Sequence, residues 1–363
     1  MTQATLGIES SAGGQVLYMA LELSEKRWGV LFASGGGKRR ERSVGARDVG
    51  RLLEEVGDAK RRLGLRAEAR VVSCYEAGRD GFWLDRALRA KGIESLVVDS
   101  SSIEVPRRAR RRKTDRLDLG RLMALLQRYV GGERKVWSVV RVPEENAEDV
   151  RQLSRSIERL KAERGRHVTR IKALLATQGL KLIGIGGRDW AKRVAALRRW
   201  DGSALGRWLQ RDLCLEGERL ALAQQQLAEL KAEREALVAA GREAVASKAR
   251  ALARLGAIAA ESSFVFATEL FGWRRFANRR EQGLSKAGNR RMRTMLVEIA
   301  WCWLRYQPHS TLSVWWQRRF AHSGGRARKV AIVALARKLL VALWRYLEHS
   351  IVPEGATLKP RVA

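Results

Sequence analysis

The chain has 363 residues, enough for two or three domains that each bury a core, and its 71 Lys and Arg against 39 Asp and Glu leave a net charge of +32. Neutralising phosphates releases counterions, so this charge points to a nucleic acid as partner, and the basic residues run through helix-patterned segments instead of sitting in one tail. Three separated cysteines, Cys74, Cys214 and Cys302, exclude a disulfide framework and a clustered zinc site. The first residues show no basic-then-apolar leader, and the most apolar C-terminal stretch, Val330 to Trp344, holds Arg337 and Lys338 and is too short for a bilayer; a cytoplasmic location is expected.

Val16 to Phe32 predicts a β-hairpin: an apolar run to Leu21, then Glu22-Leu23-Ser24, a polar Glu25-Lys26-Arg27, and a second run from Trp28. Ala46 to Leu63 predicts a basic amphipathic helix, and Ala69 to Tyr75 a strand that stops at Glu76-Ala77-Gly78. Phe82 to Lys91 follows as a helix and Ile93 to Asp99 as a strand. Alternating strands and helices predict an α/β sheet domain over residues 1–145.

From Asn146 the pattern turns helical: Val150, Leu153, Ile157 and Leu160 step by three and four, and Ile171 and Leu174 resume the stripe. A second stripe, Leu220, Ala223, Leu227, Leu230 and Leu237, lies beyond an irregular stretch from Gly179 to Gly206. Residues 146–247 therefore form either an antiparallel coiled-coil arm or dimerising element, or an ordinary helical bundle. Residues 248–363 predict a basic, all-α domain rich in tryptophan (Trp273, Trp301, Trp303, Trp315, Trp316, Trp344). Most of these should be packing residues, with one or two left to stack on nucleic acid.

Four carboxylates carry the chemistry. Asp115 and Asp118 are spaced i and i+3 at a helix entry, which puts both on one face. The bland alternative is a cap and a solvated side chain. Glu22 sits inside an apolar run, and Glu76 ends a central strand before Ala77-Gly78, where the backbone can turn close to a ligand. A strand-1 carboxylate, a second at a later strand end and a pair on a following helix is the order of ribonuclease-H-like nucleases. Such clusters hold two metals about 3.5–4 Å apart for phosphoryl transfer. Oxygen ligands without His or Cys favour magnesium over zinc.

These residues resemble a known family, the DEDD-type insertion-sequence transposases related to pilin-gene invertases, whose members use a bridge RNA to choose target and donor DNA. The likeness covers nearly the whole chain. It rests on Leu21-Glu22-Leu23-Ser24, Tyr75-Glu76-Ala77-Gly78, Lys113-Thr114-Asp115-Arg116-Leu117-Asp118, and the run from Gly283 through Ser285-Lys286-Ala287-Gly288-Asn289 to Arg293. The resemblance implies a ribonuclease-H-like (RuvC-like) α/β domain, then coiled-coil helices and an all-α transposase domain. It also implies Mg2+ on Glu22, Glu76, Asp115 and Asp118, DNA and a noncoding bridge RNA as partners, dimers or tetramers, and a bacterial, nucleoid-associated setting. Arg110, Arg111, Arg112, Lys113, Lys286, Asn289, Arg290, Arg291 and Arg293 are the expected nucleic-acid contacts.

The chain departs from the family pattern in three places. Glu22 stands where the family has Asp, and Ala257-Ile258-Ala259 where it has a Gly-Ile-Gly turn. The family's nucleophilic serine lies on a segment for which this chain has no counterpart between Arg280 and Gly283. Ser285 is the nearest hydroxyl, read either as a replacement nucleophile or as the N-cap of a helix over Lys286 to Met295. Three functions thus stay open: a metal-dependent recombinase, a catalytically impaired RNA- or DNA-binding relative, and a metal-dependent junction nuclease.

Overall fold

The computed structural model describes residues 15–103, 115–181, 184–241, 243–273 and 289–360, with the backbone alone at 115–118. It divides into two compact units, Met1–Pro143 and Glu144–Ala363. The first unit holds β1 (Val16–Glu22), β2 (Arg27–Ser34), β3 (Arg39–Gly45), α1 (Val49–Arg62), β4 (Arg70–Glu76), α2 (Trp83–Ala90), β5 (Glu94–Val98) and α3 (Asp115–Val130).

These strands form one mixed sheet in the order β3-β2-β1-β4-β5. Short connections make β1, β2 and β3 antiparallel, whereas the crossover through α1 brings β4 back parallel to β1, and α2 does the same for β5. Alternating side chains then build two cores. Leu17, Met19 and Leu21 face α1 and α2 with Val71 and Tyr75, while Ala20, Val72 and Cys74 face Leu119, Leu122 and Met123 of α3.

Two local features depart from the expected pattern. The α1 helix starts at Val49 and not at Ala46, because Ala46 N donates to Lys26 O and Arg47 takes a positive φ of 67°. The Asp48 carboxylate then caps the helix by accepting from Arg51 N at 2.8 Å. Strand β3 was unforeseen, since it carries charge on both faces and buries only Val44. An edge strand needs no apolar alternation when pairing to its neighbour holds it. At the other edge, β5 is covered by the segment after α3, through Asp99 N to Ser138 O at 2.9 Å and Val140 N to Val97 O at 2.7 Å.

The second unit is helical: α4 (Glu145–Ala176), α5 (Trp190–Ala196), α6 (Arg207–Ala240), α7 (Ala244–Ala253), α8 (Ala260–Phe266), α9 (Arg290–Tyr306), α10 (Thr311–Phe320) and α11 (Gly325–His349). The two long helices pair antiparallel, as His167 Nδ1 to Glu216 at 2.7 Å and Arg170 to Asp212 at 3.3 Å show. The expected stripes are the packed ones: Val150, Ile157 and Ile171 are buried on α4, and Leu220, Ala223 and Leu227 on α6. Part of the stretch read as irregular is α5. It is folded onto α6 by Trp190, whose Nε1 donates to Leu213 O at 2.7 Å and whose indole lies directly over Gly217. The C-terminal helices close around Trp303, Leu335, Leu339 and Leu343. Trp273, Trp303 and Trp316 are buried packing residues, as expected, whereas Trp301 remains partly open to solvent. Among the described residues no helix is long and apolar enough to cross a membrane.

One buried charge organises this unit. Helix α8 runs into a π-helical segment, Ala267–Phe271, that carries Glu269 with 1 % of its surface exposed. Arg151 and Arg155 of α4 reach its carboxylate at 3.2 Å each, and Arg291 of α9 at 3.4 Å. Burial opposes ionisation, yet the guanidiniums of Arg155 and Arg151 outweigh it and hold the carboxyl below its ordinary value.

Two outcomes are expected. Gly217→Ala places a methyl group inside the Trp190 indole and should destabilise the chain by about 1–3 kcal/mol in urea denaturation. A wild-type midpoint in that variant would show that α5 is not seated as described. Glu269→Gln should cost about 3 kcal/mol at neutral pH, because three arginines lose their counter-charge. A carboxyl with a depressed folded pKa stabilises above its unfolded value of 4.5, and that contribution is lost as pH falls through the folded value. The gap between wild type and variant, followed by denaturation from pH 7 to pH 3, should therefore narrow below about pH 4.5.

Candidate active site

Glu22 and Glu76 are the last residues of two neighbouring parallel strands. The β1–β4 pairing runs up to Leu21 opposite Tyr75, so the two glutamates follow side by side, with strand spacing of about 4.8 Å. They lie two residues beyond Ala20 and Cys74 and share the α3 face of the sheet with them.

Gly29 explains how α3 comes so near. It is the antiparallel partner of Glu22, and a Cβ at that position would lie 2.9 Å from Leu119 Cδ1, so the missing side chain lets Leu119 settle beside the glutamate. One turn further on, the Cys74 thiol lies 3.9 Å from Leu122 O. Burial, and then the nearby Glu76 charge, push that thiol's pKa far above its ordinary value, which makes it a packing residue and not a nucleophile. Asp115 and Asp118 occupy the first turn of α3, immediately before Leu119, and so sit at the end of the helix that reaches the two strand ends.

A cavity of about 470 Å³ opens at this place, lined by Glu22, Ser24, Glu76, Gly78, Asp80 and Leu122 among others. Its rim carries Glu25, ion-paired with Arg79 at 3.1 Å. The glutamates are thus brought together beneath the α3 entry. The side chains of Asp115 and Asp118 lie outside the described residues, and among those described no group of three or more His, Cys, Asp or Glu is placed to hold a metal.

The remaining expected contacts divide. Arg110, Arg111, Arg112, Lys113, Ser285 and Lys286 lie outside the described residues. The helix expected to start at Lys286 under a Ser285 cap starts instead at Arg290, capped by Asn289, whose Oδ1 accepts from Met292 N at 3.3 Å. Arg290 is exposed and Arg293 half-buried. Arg291 turns inward, donating to Ser154 O and Oγ at 3.3 and 3.2 Å and pairing with Glu158 and Glu269. Arg151, Arg155 and Glu269 had not been singled out. The available signal was a lone glutamate in the apolar run Phe264 to Phe271.

No family model matches the chain. It is 39% identical to a protein of Sinorhizobium fredii (strain NBRC 101917 / NGR234) named "Putative transposase y4rJ", over 94% of each chain. It is also 28% identical to a second protein of the same strain, "Putative transposase y4qE", over 93% of this chain and 83% of that one. With 39% identity over nearly the whole length of the first of these relatives, the chain belongs to the transposase family, and its strongly basic composition accords with that.

Proposed function

We propose that this chain is the DNA transposase of an insertion sequence, working as a metal-dependent recombinase of the DEDD type on a ribonuclease-H-like sheet domain. The observation that carries this reading is the placement of Glu22 and Glu76 on adjacent parallel strand ends, beneath the helix turn bearing Asp115 and Asp118. Like charges this close favour a shared cation, and an all-oxygen donor set suits magnesium. Bound there, magnesium supplies charge neutralisation for the oxygens of phosphoryl transfer. Glu22 and Glu76 would hold it from the strand ends and Asp115 and Asp118 from the helix, while Leu122 lines the apolar side of the pocket. The basic chain holds DNA, and the family resemblance adds a noncoding bridge RNA as guide and assembly as a dimer or tetramer.

A second reading has one observation in its favour. The family's serine segment has no counterpart between Arg280 and Gly283, which favours cleavage by water, as in a junction nuclease, over strand exchange through a covalent serine link.

Glu22→Gln, Glu76→Gln, Asp115→Asn and Asp118→Asn should each reduce magnesium-dependent DNA strand cleavage to background. Affinity for the same DNA at fixed salt should stay within about twofold, because the +32 scaffold supplies the binding. Cleavage that survives in all four variants would remove the carboxylate site. Duplex affinity itself should fall about a thousandfold between 50 and 200 mM salt if six or more phosphates are contacted. A flat salt profile would contradict the electrostatic reading. Denaturing gels separate the two catalytic readings: strand exchange through Ser285 leaves a protein–DNA adduct that disappears in Ser285→Ala, and the water mechanism leaves none. We expect no adduct.

A further inference from the structure

Trp200 and Trp208 are 84% and 76% exposed, while every other tryptophan with a described exposure is largely or partly covered. Trp200 lies in the connection that joins α4 to α6 and Trp208 at the start of α6 that follows it, two large, largely apolar side chains left in water eight residues apart. A hydrogen-bonded turn fixes the backbone around Trp200. Arg199 N donates to Ser203 O at 2.8 Å, Gly202 N to Arg199 O at 3.0 Å, and Ser203 Oγ to Asp201 Oδ1 at 2.6 Å. Trp208 stands in the first turn of α6 with the Arg207 guanidinium 5.2 Å from its ring centroid.

Charge identifies the occupant. Residues 184–211 contain seven basic side chains and two acidic ones, and Arg188, Lys192, Arg198, Arg207 and Arg211 are exposed. A second copy of this surface would meet its own charge of +5. The first turn of α6 carries no acidic residue, so its amide end also favours an anion. Flat aromatic faces among guanidiniums suit a polyanion that offers flat faces of its own. In a duplex the bases cover one another, so the indoles reach them only where a strand is unpaired.

We propose that the end of the α4–α6 connection and the first turn of α6 form a binding surface for single-stranded DNA, on which unpaired bases stack against Trp200 and Trp208 while the neighbouring arginines hold the phosphates. The choice of DNA rests on the transposase reading, since strands part where such an enzyme cuts. The surface lies on a separate unit from the Glu22–Glu76 cavity and is tested without catalysis.

The test measures binding of a labelled oligothymidylate, its RNA equivalent and a duplex to the full chain by fluorescence anisotropy, with oligomeric state followed by light scattering. Trp200→Ala and Trp208→Ala should each weaken binding to the single-stranded DNA by roughly tenfold, and the two together by more. Trp200→Phe and Trp208→Phe should keep most of the affinity, and duplex binding should change by less than about twofold. The side chains are exposed, so the variants fold, which circular dichroism checks. Unchanged single-strand DNA affinity overturns the proposal, as does a loss confined to RNA or an oligomer that falls apart in the variants. A wild-type chain that binds no DNA of any form counts against the transposase reading itself. Duplex binding by the wild type with unaffected tryptophan variants counts against this surface alone.

Discussion

A carboxylate sealed inside a helical domain has to be met by positive charge, and Glu269 is met three times over. Arg151 and Arg155 approach from α4 and Arg291 from α9, so the position of one glutamate decides where three helical segments converge. The π-helical turn that carries it widens the helix at that point, a distortion common where a side chain is aimed at a particular target. In a chain with this excess of arginine, some of the basic residues are therefore structural. Arg291 shows the distinction most clearly, since its guanidinium reaches Ser154, Glu158 and Glu269 and faces the protein.

In the sheet unit the comparable constraint is register. The strand alternation that sends Leu21 and Tyr75 into one core sends Glu22 and Glu76 to the opposite face, and a slip of one residue would bury both charges against α1 and α2. Gly29 adds the third dimension, because only a residue without a side chain lets α3 lie close over the strand ends. Apolar packing of Leu119 and Leu122 thus does the positioning, and the carboxylates inherit it.

Much of this was legible in the sequence where periodicity and burial coincide. The β1–β2 hairpin, β4 and β5, and the stripes of α4 and α6 all follow the spacing of their apolar residues. The places of Glu22 and Glu76 at the ends of strands were legible in the same way. Elements held by something other than an apolar stripe escaped. Strand β3 depends on pairing to β2, α5 depends on the Trp190–Gly217 contact, and the start of α6 precedes Leu220, the first leucine of its regular stripe, by several turns. The α9 cap fell on Asn289 and not Ser285, two residues equally suited to capping, so type alone could not choose between them. The Glu269 cluster joins residues more than a hundred positions apart, which no local pattern records. Trp200 and Trp208 look, as letters, no different from the tryptophans that fill the C-terminal core.

The sheet's two margins are closed in different ways. Along β3 the residues Arg39, Arg40, Glu41 and Arg42 line the outer strand with charge, and beyond β5 the backbone of Ser138 and Val140 already takes up hydrogen-bonding positions. A visiting strand would meet guanidinium groups on one side and an occupied backbone on the other. Among the described residues, lengthening the sheet is therefore a disfavoured route between copies of this chain, and the helices are the better place for an assembly to form.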